Sequence, residues 1–248
     1  MIQQEVSRQP LRWSPSPTLK ARIMIARTLL LTFSLLAATA PQAADLPRQA
    51  RITYEARLSG LPVGEAVQRW QREGDKYTLD TEITPILGSR IRYHSEGELT
   101  SAGLRPSSYG EFRGSSSTPR QQAQFDWRTR QVSYGPADAL QSAPLDSGAQ
   151  DLNTLPFQLA WLGSKATINL QIITGRKLRD DAFTASTGSP FALMGKHTAT
   201  RVWRAPDGDK RTEFWLATDY ANLPVKIVRH DDKGELQLIA KHIEYQLE

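Results

Sequence analysis

From residue 51 onward the chain alternates apolar and polar side chains with a period of two. In "RITYEARLS", Ile52, Tyr54, Ala56 and Leu58 fall on one face, and Arg51, Thr53, Glu55 and Arg57 on the other. Successive side chains of a strand point to opposite faces, so this pattern predicts a strand with one buried face. "KYTLDTEI" repeats it, with Tyr77, Leu79, Thr81 and Ile83 inward. "RIRYHSEGEL" sets Ile91 and Tyr93 against Arg90, Arg92 and His94, and "QAQFDW" sets Ala123, Phe125 and Trp127 on one face. "QVSY" follows across "RTR" as the return arm of a hairpin. Pro106 in "GLRPSSYGEFRG" predicts an edge or a strand start, because proline cannot donate to a ladder.

The alternation breaks at "GAQDLNTLPFQLAWLG". Asp151, Asn153 and Thr154 are helix-capping residue types, Pro156 is tolerated in a first turn, and Gly163 suits a helix stop. The enclosed segment is apolar nearly all round, so it predicts a short buried helix, a plug or lid on the dry face of the sheet. Strands then resume in "TINLQII", "KLRDDAFTAS" and "TATRVWRA". Residues 213–240, "EFWLATDYANLPVKIVRHDDKGELQLIA", read as three strands joined by the turns "TDYAN" and "DDKGE", with Pro224 at the start of the second.

About a dozen strands at short intervals, without strand–helix alternation, predict a mainly β fold. The expected architecture is a large curved antiparallel sheet or half-open β-barrel with one or two short helices. No linker and no strong repeat divides residues 45–248, so they read as one β domain.

The N-terminal segment changes the compositional picture. Residues 28–39, "TLLLTFSLLAAT", are apolar, follow Arg22 and Arg27, and precede small residues. This is the layout of a secretory signal, and the run is short for a permanent span. Cleavage is expected after Ala44, and Met24 is the better start. Residues 1–44 carry five basic side chains and one acidic, so without them 26 basic face 25 acidic and the net charge falls from +5 to +1. The basicity therefore lends no support to nucleic-acid binding. Cysteine is absent, which excludes a disulfide framework, a thiolate metal site, a Cys nucleophile and the acceptor for a lipoprotein anchor. The expected location is the periplasm.

No G-x-S-x-G elbow, P-loop or H-E-x-x-H occurs, and no catalytic residue, metal site or cofactor is expected. His230, Asp231 and Asp232 are adjacent and read as a hairpin tip rather than a ligand set. Aromatic residues carry more information. Most sit at inward phases, and they either pack as core or line an apolar cavity. Tyr93, Trp127, Phe157, Trp161 and Trp215 are the candidate ligand-binding residues. Arg201 and Arg204 beside Trp203, and Arg90 and Arg92 beside Ile91, are candidates to meet an anionic head group.

"ITYEARLSGLPVGEA", the "GLRP" turn at Gly103–Pro106, the "QD" that opens the helix and the ending "WLATDYANLPVKI" resemble the exported bacterial domain of unknown function 3108, over residues 50–246. The resemblance implies an envelope protein and brings no catalytic residues. The ending is more distantly similar to that of the periplasmic lipoprotein carriers and their acceptors, whose half-open barrels are closed by short helices around an apolar cavity. The reading that follows is a non-enzymatic protein binding a lipid or other hydrophobic envelope ligand. Its alternatives are an assembly partner of another envelope protein and an enzyme acting on an envelope polymer.

Overall fold

The computed structural model describes residues 46–247 apart from 164, 208, 209 and 233. The expected signal segment, its cleavage site and the start at Met24 lie outside the described residues.

The first eight strands form a meander: β1 (Gln49–Leu58), β2 (Leu61–Glu73), β3 (Lys76–Pro85), β4 (Ile91–Thr100), β5 (Gly103–Arg113), β6 (Gln121–Asp126), β7 (Gln131–Gly135) and β8 (Gln141–Pro144). The two-residue β9 (Gln150–Asp151) leads into the helix α1 (Leu155–Leu162). Then come β10 (Thr167–Ile173), β11 (Leu178–Thr187), β14 (Thr200–Asp207), β15 (Lys210–Ala217), β16 (Leu223–Asp231) and β17 (Gly234–Gln246). A small hairpin, β12 (Phe191–Leu193) and β13 (Lys196–Thr198), stands apart from the main sheet.

One sheet of 15 strands runs β8-β7-β6-β5-β4-β3-β2-β1-β17-β16-β15-β14-β11-β10-β9. Its seam is the pairing of β1 with β17, from Gln49 opposite Gln246 to Leu58 opposite Leu236. All pairs in it are antiparallel except β9 with β10. The two wings curl towards each other without closing the ladder. The Gln150 side chain in β9 donates to the Leu104 carbonyl in β5 at 2.8 Å, which ties the end of one wing to the middle of the other.

Bulges supply much of the curvature. Register shifts occur at Thr53/Tyr54 and Ala56/Arg57 in β1, at Glu96/Gly97 in β4 and at Trp215/Leu216 in β15. An extra residue bends its strand and increases the local twist. At Gly97 a Cβ would overlap the Arg105 carbonyl oxygen and come within 2.7 Å of the Tyr77 hydroxyl, so glycine alone fits. Pro106 sits at this bulge inside β5 rather than at a strand start. It is admissible because β6 pairs with β5 only from Ser108 onward.

The inward phases expected from the alternation hold. Ile52, Tyr54, Ala56, Tyr77, Leu79 and Thr81 are buried. The helix occupies the interior, with Leu155 to Ala160 buried and Trp161 and Leu162 half-buried against the core. Its cap differs in detail from the sequence expectation. Thr154 is the N-cap residue but makes no side-chain cap bond. Asp151 Oδ1 instead accepts from the backbone N–H groups of Asn153 and Thr154, at 2.8 and 2.9 Å. Gln158, a polar residue in an apolar helix, is explained by its partners. Its Oε1 accepts from the Leu104 N–H at 2.7 Å, and its Nε2 donates to the Ala102 carbonyl at 3.3 Å. These bonds pin the plug to the β4–β5 turn.

Candidate ligand-binding cavity

The plug does not fill the interior. Between the β1–β5 wing and strands β15–β17, above the start of α1, lies a cavity of about 690 Å³. That is within the usual range for small-molecule sites. Its walls are apolar: Leu58, Ile83, Phe214, Ile227, Leu236 and Leu238, with Leu152 and Pro156 from the helix entry. The strand residues among them occupy inward positions, and Phe214, Ile83, Ile227 and Leu238 also pack against the core at the cavity's edge.

The floor is polar and fully organised. Gln68, Thr81 and Asn153 all line the cavity. Thr81 Oγ1 donates to Asn153 Oδ1 at 2.6 Å and accepts from Gln68 Nε2 at 3.1 Å. Gln68 Oε1 lies 3.1 Å from the Tyr54 hydroxyl, which also reaches the Pro224 carbonyl at 2.9 Å. On the other side Asn153 Nδ2 donates to the Leu79 carbonyl at 2.9 Å and to Ser95 Oγ at 3.2 Å. Ser95 in turn donates to Asp151 Oδ1 at 2.9 Å. A chain of side-chain hydrogen bonds thus crosses β1 to β4, from Pro224 to Asp151. Buried polar groups are tolerated when partnered in this way.

Asp151 is the exception. Its Oδ2 is buried without a hydrogen-bond partner. Burial raises its pKa to about 6, against the pull of the bonds from Thr154, Ser95 and Asn153. The carboxylate loses hydration that its three donors only partly replace.

The rim is cationic. Arg113, Arg176, Lys177, Arg179 and Arg229 surround the mouth. Three of them are paired: Arg113 with Glu111 at 2.8 Å, Arg179 with Asp181 at 2.8 Å, and Arg229 with Asp231 at 3.3 Å. Arg176 and Lys177, exposed on the β10–β11 turn, have no ion-pair partner among the described residues.

Of the five aromatic candidates, Tyr93 lines the cavity. It stacks on Tyr109 with centroids 6.2 Å apart, and its pKa is raised by burial and by Glu111. Phe157 is fully buried beneath, stacked on Trp70. Trp161 packs against the core from the end of α1. Trp127 lies at the opposite end of the strands, where its indole N–H donates to the Pro106 carbonyl at 2.6 Å, in a depression ringed by Glu73, Lys76, Glu98 and Arg105. Trp215 follows the inward Phe214 and takes the opposite phase, donating to Glu213 Oε2 at 2.9 Å with Lys226 5.4 Å from its ring. The arginines singled out in the sequence also turn elsewhere. Arg92 lies over Phe112, Arg201 over Trp203 and Arg204 over Trp215. The cavity residues that sequence reasoning missed, Phe214, Ile227, Arg176 and Lys177, sit in ordinary alternation and an ordinary turn. Period two reports that a side chain points inward, not whether anything faces it.

Among the described residues of the lining none is a histidine, and the two carboxylates, Glu111 and Asp231, are held in the ion pairs above. His94 and Asp80, with Nδ1 and Oδ1 2.9 Å apart, are half-exposed and lie outside the lining. Among the described residues no group of three His, Cys, Asp or Glu could hold a metal ion.

A family model described as "Protein of unknown function (DUF3108)" matches residues 50–241. A crystal structure of a β-barrel-like protein of domain of unknown function DUF1849 from Brucella abortus resembles the chain with a TM-score of 0.53 at 12% identity. The alignment covers 81% of this chain and 99% of that one, and it supports the fold alone. No curated protein matches the chain.

Proposed function

The chain belongs to the DUF3108 family of proteins of unknown function, and we propose that it is an exported, non-enzymatic protein that binds an apolar or amphiphilic cell-envelope ligand. One observation carries the reading: an apolar-walled cavity of about 690 Å³ is held open between the two wings of the sheet, with a cationic rim. A cavity with apolar walls and a few placed polar groups suits a hydrophobic ligand with a polar end. The N-terminal signal pattern supports a periplasmic location.

The test is mass spectrometry of the protein purified from its own periplasm, first in the native state and then after solvent extraction. A stoichiometric lipid or amphiphile supports the reading, and its mass names the ligand class. In parallel, a fluorescent fatty acid is titrated into wild type and into Ile227→Glu. Binding to wild type that falls at least about tenfold in the variant is expected, because the new carboxylate is desolvated against the acyl chain. Absence of a co-purified amphiphile together with no fatty-acid binding rejects the reading.

A further inference from the structure

Strand direction gathers several separate segments at one end of the sheet. The β1–β2 turn, the β3–β4 loop, the β10–β11 turn and the β16–β17 turn all lie at the cavity mouth, because β1, β3, β10 and β16 run towards it and their partners run away. One side of this end is apolar and exposed. Leu61 is 71% exposed, Ile86 68% and Leu87 88%. Surface leucines scattered singly mean little, but these are linked to one another and to the cavity. Leu58 stands opposite Leu61 on one side and Leu236 on the other, so all three share one face. Leu58 and Leu236 line the cavity and are themselves 38% and 40% exposed. The Ile86 N–H donates to the Val63 carbonyl at 2.8 Å, which fixes the Ile86–Leu87 tip beside the start of β2. Apolar surface therefore continues from the cavity wall over its lip to a loop tip.

Among the described residues of these four segments and their flanks, the acidic side chains near the β16–β17 turn are held by bases: Asp231 by Arg229 at 3.3 Å, Asp232 by Lys210 at 2.8 Å, and Glu235 by Arg211 at 2.9 Å. Arg176 and Lys177 remain without an ion-pair partner among the described residues. Exposed aliphatic side chains at the same end as cations without an ion-pair partner among the described residues match the two layers of a bilayer surface, acyl chains beneath anionic phosphates. A water-filled approach would force an apolar ligand through solvent before it reached the cavity. A mouth pressed to the bilayer avoids that step.

We infer that the cavity mouth is a docking surface for a membrane carrying anionic lipid, with Leu61, Ile86 and Leu87 entering the interface and Arg176 and Lys177 meeting the phosphates. The inference rests on the ligand-binding reading above for its purpose but not for its test. The protein as purified from its own cells is floated with phosphatidylcholine vesicles, with and without phosphatidylglycerol. Flotation with the anionic vesicles only, weakened by salt, is expected. Ile86→Ser with Leu87→Ser in one variant, and Arg176→Glu with Lys177→Glu in another, each lower vesicle affinity about tenfold or more. Ile86 and Leu87 lie outside the lining, so the first variant keeps fatty-acid binding in solution. No flotation, or flotation unchanged by both variants, overturns the docking surface while retained fatty-acid binding leaves the ligand reading intact. Dimers that dissociate in Ile86→Ser with Leu87→Ser, without vesicle binding, also overturn it and assign the surface to a second copy. Flotation that behaves as expected in a protein that binds no fatty acid keeps the docking surface and removes the ligand reading.

Discussion

Phe157 of the plug helix lies flat on Trp70 of β2, their ring centroids 4.9 Å and planes 15° apart, and Tyr77 of β3 lies 5.1 Å from Trp70. The Trp70 indole N–H donates to the Pro47 carbonyl at 2.7 Å, so the stack also anchors the chain just before β1. The β2–β3 hairpin, the plug helix and the chain before β1 meet in these side chains. Phe157→Ala is expected to lower unfolding free energy by about 3–5 kcal/mol, the usual cost of emptying a buried aromatic site. Phe157→Leu should lose clearly less. Denaturant unfolding checks both, and a loss below about 1 kcal/mol in Phe157→Ala would show that the helix is not held by this stack.

Asp151 makes a prediction about pH. Its folded-state pKa, pushed up to about 6 by burial, lies above the ordinary value of 3.8. The folded protein therefore holds this proton more tightly than the unfolded chain. Stability from this group is full below about pH 4, falls as pH rises to about 6, and is level above that. The difference of about two units corresponds to about 3 kcal/mol. Other carboxylates oppose the trend, Asp232 being held below its ordinary range by Lys210, so the comparison with Asp151→Asn isolates it. Asparagine keeps an oxygen for Ser95, Asn153 and Thr154 but cannot ionise. The stability of Asp151→Asn relative to wild type should rise between pH 4 and 6. Parallel pH profiles for the two proteins would refute the assignment.

Trp215 and Trp161 separate packing from binding. Trp215 takes the outward phase beside Glu213 and Lys226, and Trp161 ends the helix away from the cavity lining. Replacing either with alanine should leave fatty-acid affinity within about twofold, while Trp161→Ala lowers stability by less than the about 3–5 kcal/mol of a fully buried aromatic. Titration and unfolding of the same preparations decide it. A tenfold loss of affinity in either variant would return that tryptophan to the binding site.

Much of this architecture is legible in the residues themselves. The alternation in Ile52-Tyr54-Ala56 and in Tyr77-Leu79-Thr81 states which side chains are inward, because a strand has no other way to hide apolar groups on one face. Asp151, Pro156 and Gly163 bracket the helix, and its apolar surface says that it is buried. The family, too, could be read from short segments around Tyr54, Pro106 and Pro224, which prove to be places where turns, bulges and the hydrogen bond to the Pro224 carbonyl restrict the choice of residue. Such constraints are local, or repeat at a fixed period, and so they leave a mark in the order of residues. The pairing of β1 with β17 leaves no comparable mark, since about 180 residues of chain could return in many registers and the choice falls to the summed packing of both wings. The cavity is decided later still. Phe157 and Phe214 are both inward aromatics, yet Phe157 is stacked on Trp70 outside the cavity lining, while Phe214 packs on Phe183 with centroids 6.1 Å apart and also lines the cavity wall. A cavity is defined by the side chain that is not opposite, and only the tertiary fold determines which residue that is.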